Sequence, residues 1–242
     1  MLFRSCQPKH YNEAGVGEGL AACLSESLPR SDIYLQTKFT SPAGQDPDRL
    51  PYDAKAPLGE QIAQSIEASL RNLRTSYLDC LVLHSPLATT KRTLDAWHAF
   101  EAHVDRGVVR QLGLSNCYRL ELLRMVYDAA RIKPTVLQNR FYADTGYDAD
   151  IRAFCRDHQI RYQSFWTLTA NPQLMASAVI TQLAHKLGRT PPQILFRYLT
   201  QIGITPLTGT RSEAHMREDL AIAEFELVQD ECTAIAGIFP SE

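Results

Sequence analysis

The sequence predicts an α/β protein made of repeated strand–helix units, of the parallel-barrel type in preference to a doubly wound open sheet. Three observations lead there. Short apolar runs alternate with longer amphipathic stretches along the chain. The strands carry apolar residues on both faces, as in Leu81-Val82-Leu83, the pattern of a strand covered by helices on each side. No Gly-x-Gly-x-x-Gly follows a strand, which removes the main signal for a dinucleotide-binding open sheet.

Six strands are expected: Ile33–Phe39, Leu78–His84, Val108–Ser115, Thr135–Asn139, Ile160–Phe165 and Gly203–Leu207. Between them lie helical patterns. The clearest is Glu60–Leu73, where Ile62, Ile66, Leu70 and Leu73 recur at helical spacing and form one apolar face. Glu13–Ser27, Thr93–Val104, Leu120–Ala130, Asp148–His158, Leu174–Leu187 and Pro192–Gln201 read the same way. Pro191-Pro192 marks a helix start, and Gly107 and Gly188 stand where helices end. Thr40–Leu58 is a polar stretch with four prolines, read as an insertion on one rim of the barrel.

The length of 242 residues suits one domain, residues 1–242, since a (β/α)₈ barrel needs ~250 residues. A net charge of −2 without a basic block gives no footprint for nucleic acid or a membrane surface. No apolar run approaches the ~18 residues of a membrane helix. The six cysteines, Cys6, Cys23, Cys80, Cys117, Cys155 and Cys232, are scattered without a Cys-x-x-Cys pair. That argues against a zinc site or a disulfide scaffold and fits a reducing cytoplasm.

In such a barrel the functional groups stand at the carboxyl ends of the strands. Here those ends carry Lys38, His84, Ser115-Asn116, Gln138, Phe165-Trp166 and the run Thr208-Gly209-Thr210-Arg211-Ser212. Singly, each has an ordinary reading: a rim charge, a satisfied histidine, a helix cap. Together they fall on one rim and suit carbonyl reduction. Hydride transfer to a carbonyl builds negative charge on oxygen, which an acid must neutralise. A tyrosine can serve when a neighbouring Lys⁺ lowers its ordinary pKa of ~10, and a histidine can orient the carbonyl. Small hydroxyls and amides can hold a carboxamide, an aromatic ring can stack on nicotinamide, and an arginine beside helix-start N–H groups suits a phosphate.

In order along the chain, the segments Cys6-Gln7-Pro8-Lys9-His10-Tyr11-Asn12-Glu13, Tyr34-Leu35-Gln36-Thr37-Lys38, Asp79-Cys80-Leu81-Val82-Leu83-His84, Gly113-Leu114-Ser115-Asn116 with Gln138, and Thr208–Asp219 resemble the motifs of the aldo-keto reductase family. The resemblance runs from about Cys6 to the end of the chain. It implies a (β/α)₈ TIM barrel and NAD(P)H-dependent reduction of an aldehyde or ketone to an alcohol. It makes Tyr11 the proton donor and Lys38 and His84 its catalytic partners. Ser115, Asn116, Gln138 and Phe165 would hold the nicotinamide. Thr208, Gly209, Thr210, Arg211, Ser212, His215, Glu218 and Asp219 would hold the adenosine end, with NADPH preferred over NADH. The partner implied is a small carbonyl compound, with no nucleic acid, membrane or metal.

Three departures shape the expectation. The family's Asp-Thr-Ala precedes its tyrosine, yet no carboxylate lies upstream of Tyr11, and the segment read in that place is Phe3-Arg4-Ser5. Gly209-Thr210 stand where many members have Lys-Ser, and Phe165 replaces the stacking tyrosine. With a helical pattern already beginning at Glu13, the barrel is expected to lack its first two strands and to be open, with Met1–Ser5 a replacement start. The alternative is therefore a catalytically impaired barrel that binds cofactor or a partner without turnover, because open sheet edges and a missing carboxylate weaken both fold and chemistry. A carboxylate-pair hydrolase is disfavoured, since no paired Asp/Glu stands at the strand ends.

Overall fold

Ile33-Tyr34-Leu35-Gln36-Thr37-Lys38-Phe39 is a strand because its residues are buried nearly end to end, which only a helix-covered parallel sheet requires. In the computed structural model, which describes residues 2–239, it is β2 (Ile33–Phe39), preceded by β1 (Leu2–Ser5). The chain divides into two compact units, Met1–Leu137 and Gln138–Glu242.

In the first unit, β1, β2, β3 (Leu78–Leu83) and β4 (Val109–Ser115) pair in that order, all parallel. The register sets Leu2 beside Ile33, Phe39 beside Leu83, and Leu83 beside Leu114. The chain returns between strands through α1 (Glu13–Cys23), α2 (Leu58–Leu73), α3 (Thr90–Asp105) and α4 (Leu120–Ala129). The apolar face of α2 buries Ile62, Ile66 and Leu73, each worth roughly 1.5–3 kcal/mol of transfer free energy. Helix α3 adds Trp97 and Phe100, both fully buried. Helix α1 crosses α2 at Gly17, where a Cβ would run into the Asn72 carbonyl and lie 2.9 Å from Leu73 Cα. Only glycine allows that approach. At the amino ends of the strands, the buried Asp79 carboxylate receives Arg30 at 2.9 Å, Arg110 at 3.2 Å and the Leu35 N–H at 3.0 Å.

Strand β5 (Val136–Arg140) carries the chain from the first unit into the second. The second unit continues with α5 (Ala149–Asp157), β6 (Arg161–Phe165), α6 (Pro172–Met175), α7 (Ala178–Leu187), α8 (Pro191–Gln201), β7 (Thr205–Pro206), α9 (Glu213–Leu220) and α10 (Gln229–Ala236). Here β6 and β7 pair in parallel, Gln163 beside Thr205.

The described residues thus hold seven strands, not the expected six. The N-terminal segment does supply one: Leu2–Ser5 forms β1 against β2. Four residues suffice because their hydrogen-bond partners are already ordered in β2. Other boundaries moved for local reasons. Helix α1 stops at Cys23, where Ser25 and Leu28 exchange backbone hydrogen bonds in a turn. The expected helix Leu174–Leu187 splits into α6 and α7, because Ser177 caps α7 through the Ile180 N–H. Strand β7 shrinks to two residues around Pro206, which has no N–H to donate. Met1 and residues 240–242 lie outside the described residues.

Candidate active site

The first unit gathers Tyr11, Lys38, His84, Ser115 and Asn116 at the carboxyl ends of neighbouring strands. Lys38 and Phe39 close β2. The His84 N–H, just past β3, bonds to the Phe39 carbonyl at 2.9 Å. Asn116, just past β4, donates its Nδ2 to the His84 carbonyl at 2.8 Å and receives the Tyr118 hydroxyl on its Oδ1. Asn116 adopts a left-handed backbone with φ 52°, tolerable for Asn, which turns its amide back over the strand end. Ser115 is fully buried beside it.

Tyr11 follows a short Pro8–His10 helical turn and caps it with φ 53°, its N–H bonded to the Pro8 carbonyl at 2.8 Å. Its hydroxyl accepts the backbone N–H of Asp46 at 2.8 Å, and the Arg49 guanidinium lies 3.8 Å above its ring. Both residues belong to the Thr40–Leu58 insertion, which therefore folds over this rim as expected. Among the described residues, no hydrogen bond joins the Tyr11 hydroxyl to Lys38 or His84.

Lys38 is buried, and desolvation lowers its pKa to about 8. The titratable groups that act on it are the thiols of Cys6 and Cys80, not a carboxylate. Cys6 directly follows β1, its N–H bonded to the Gln36 carbonyl at 2.9 Å. Burial and the neighbouring Glu13 push its thiol up to about 12, so it is uncharged at neutral pH. The residue at this strand end is therefore Cys6, immediately after the Phe3-Arg4-Ser5 read in the motif's place. Glu13 is itself buried and accepts Thr37 Oγ1 at 2.5 Å and Ser69 Oγ at 2.9 Å; burial raises its pKa. His84 is held down to about 4, first by burial and then by the positive charges of Lys38, Lys9 and His10. Its imidazole is neutral at pH 7 and can donate to a carbonyl oxygen. The loops after β3 and β4 border an open cleft of about 480 Å³, with Ser85, Leu87, Thr89, Asn116 and Tyr118 on its wall; Tyr11, Lys38 and His84 do not line it.

The remaining candidates lie in the second unit. Gln138 is buried and donates to Gln163 Oε1 at 2.8 Å. Phe165 ends β6, half-buried, and its carbonyl accepts the Phe141 N–H. The next residue, Trp166, is 57% exposed with Arg140 stacked 4.1 Å from its ring centre. In the C-terminal run, Ser212 caps α9 through the His215 N–H, and Thr210 Oγ1 accepts the Ser212 N–H. Thr208 donates to Asp219 at 2.9 Å, and the Glu218 carbonyl accepts the Gln193 side chain. Arg211 and His215 are exposed at this helix start, Gly209 faces open space, and Arg217 is drawn off by Glu213 at 2.6 Å.

The Aldo/keto reductase family model matches residues 8–239, across both units. The chain belongs to the aldo/keto reductase family. It is 28% identical over 229 residues to the uncharacterized oxidoreductase YtbE of Bacillus subtilis, covering 94% of this chain and 75% of that one. It is likewise 28% identical over 227 residues to the 2,5-diketo-D-gluconic acid reductase B of a Corynebacterium, covering 94% and 76%. Among solved structures, a mutant of Gox0644 in complex with NADPH superposes with a TM-score of 0.78 at 26% identity, covering 98% of this chain and 79% of that one. A putative 2,5-diketo-D-gluconic acid reductase B, at 24% identity, reaches 0.81. The fold is thus the α/β barrel type of this family.

The motifs pointed to Tyr11, Lys38 and His84. They did not point to Thr40, whose hydroxyl meets His84, or to the buried Glu13 and Cys6. A threonine after a strand and a glutamate in a first helical turn look like surface residues in sequence, and only tertiary burial distinguishes them.

Proposed function

We propose that the chain is an NADPH-dependent reductase that converts an aldehyde or ketone to its alcohol, with Tyr11 as proton donor. The observation that carries this reading is the rim of the first unit, where a buried lysine cation and a neutral imidazole stand at adjoining strand ends beside a tyrosine. Bound NADPH supplies the hydride that the carbonyl carbon takes. The residues of the chain do the rest. The Tyr11 oxygen accepts the Asp46 N–H, which leaves its own proton free to pass to the nascent alkoxide. Lys38 places positive charge in a low-dielectric setting where a developing anion gains most from it. His84, being neutral, donates a hydrogen bond to the carbonyl oxygen without competing as an acid.

The cofactor fits the groups present. Arg211, His215, Thr210 and the start of α9 form a set of donors suited to a phosphate monoester, which favours NADPH over NADH. The NADPH named for the Gox0644 complex and the reductase names of the relatives support the same assignment. The roles given to Ser115, Asn116, Gln138, Phe165, Thr208, Gly209, Ser212, Glu218 and Asp219 rest on the family motifs. On this reading residues 1–242 act as one oxidoreductase domain.

Titration with NADPH, followed by thermal melting, tests the assignment. Saturable binding that raises the melting temperature, weakened by at least about tenfold in Arg211→Ala, is expected. Equal affinity of wild type and variant would remove Arg211 from the phosphate site. The lack of a carboxylate beside Lys38 favours a second reading, cofactor binding without turnover, which predicts that melting shift with no aldehyde reduction.

A further inference from the structure

We propose that Thr40 is a positioning residue that fixes the protonation pattern of His84, holding the ring proton on Nε2. The Thr40 hydroxyl lies 2.8 Å from His84 Nδ1, a distance that admits either direction of donation. Burial decides between them. Thr40 is 2% exposed, and its hydroxyl has no other acceptor among the described residues. If Nδ1 carried the proton and donated, the threonine proton would be buried without an acceptor, which folded proteins avoid. If Thr40 donates, both groups are satisfied, Nδ1 is the acceptor, and the neutral ring keeps its proton on Nε2.

Thr40 is itself held on several sides. Its carbonyl accepts Gln45 Nε2 at 2.7 Å and the Tyr52 hydroxyl at 2.6 Å. Its methyl packs so closely on Gly44 that a Cβ there would lie 2.9 Å away. The Tyr52 ring in turn lies 5.5 Å from that of Phe39, the last residue of β2. The hydroxyl is therefore presented from a fixed point, and the ring it grips cannot swing without breaking that bond. The same insertion reaches Tyr11 through the Asp46 N–H, so one loop holds both the tyrosine and the histidine.

The catalytic consequence rests on the reading of His84 as donor to the carbonyl; the tautomer does not. Nitrogen NMR of the histidine-labelled full chain measures the tautomer without substrate or cofactor. We expect the proton on Nε2 and an Nδ1 signal displaced by an accepted hydrogen bond. In Thr40→Val that displacement should vanish, and in Thr40→Ser it should return. Turnover should follow, falling about tenfold or more in Thr40→Val with the KM for NADPH unchanged, and recovering in Thr40→Ser. A proton on Nδ1 in the wild type overturns the proposal even should Thr40→Val fail to fold. So does an Nδ1 signal unchanged in a folded Thr40→Val. If the signal moves as expected while His84→Ala keeps full turnover, the tautomer lock stands and the catalytic reading of His84 falls.

Discussion

Replacing Lys38 by Met should stabilise the protein while removing its activity. At neutral pH Lys38 is a buried cation with no anion to meet it, because burial pushes the thiols of Cys6 and Cys80 up to about 12. Burial holds the lysine itself down to about 8, against 10.5 in an exposed chain. At roughly 1.4 kcal/mol per pH unit, that gap corresponds to about 3 kcal/mol. The sign follows from proton counting. Below pH 8 both folded and unfolded chains hold the proton, and the fold bears the whole cost. Between about 8 and 10.5 only the unfolded chain holds it, so stability rises with pH and the cost fades. Met has a similar unbranched length and no charge. Thermal melts and urea titrations at a series of pH values should show Lys38→Met more stable by about 3 kcal/mol at pH 7, or ~6–12 °C in Tm. The difference should shrink toward zero as pH passes from 8 to 10.5. A variant less stable than wild type at pH 7, or a difference flat across that range, would refute the reasoning and mean that Lys38 has an anionic partner.

Other perturbations follow from the same site. His84, held down to about 4, is charged in the unfolded chain before the folded one, so stability should fall as pH drops from 6.5 toward 4. His84→Gln should make that loss shallower, though His10, also lowered by burial, keeps part of it; an equal loss of stability between pH 7 and pH 5 in wild type and variant, read by urea titration, would count against this. Cys6→Asp should put a carboxylate near Lys38 and raise the lysine's pKa by about 1–3, opposed in part by Glu13. The stability gained by Lys38→Met at pH 7 should then shrink or reverse in that background, and an unchanged gain would contradict the placement of Cys6. Gly17→Ala should cost about 1–3 kcal/mol or more by forcing α1 off α2, seen as a lowered Tm; an unchanged Tm would mean the helices can part freely.

Much of this was legible in the sequence, and the misses have physical causes. Ile33–Phe39 and Leu58–Leu73 read nearly as they fold because burial there follows the strand and helix periods directly. The strand Leu2–Ser5 was not legible, since four residues carry no period and its partner lies some thirty residues on. Helices α9 and α10 bury few residues and so left little apolar pattern. In the site, Lys38 and His84 stood out as polar groups closing apolar strands. Thr40, Glu13 and Cys6 did not, because their roles come from being buried against one another or against the rim, which a linear pattern does not encode. The Lys38 environment was half legible: the missing carboxylate could be read, but not the uncharged thiol at the strand end.

The central claim is that Tyr11 gives a proton to a carbonyl reduced at this rim. The most direct measurement is aldehyde-dependent oxidation of NADPH by the full chain and by Tyr11→Phe, which keeps the ring under Arg49 and removes only the hydroxyl. The account predicts turnover in the wild type and a loss of about 10²–10⁴-fold in the variant, with NADPH still bound. Full turnover in Tyr11→Phe, or NADPH binding without any turnover in the wild type, would contradict it.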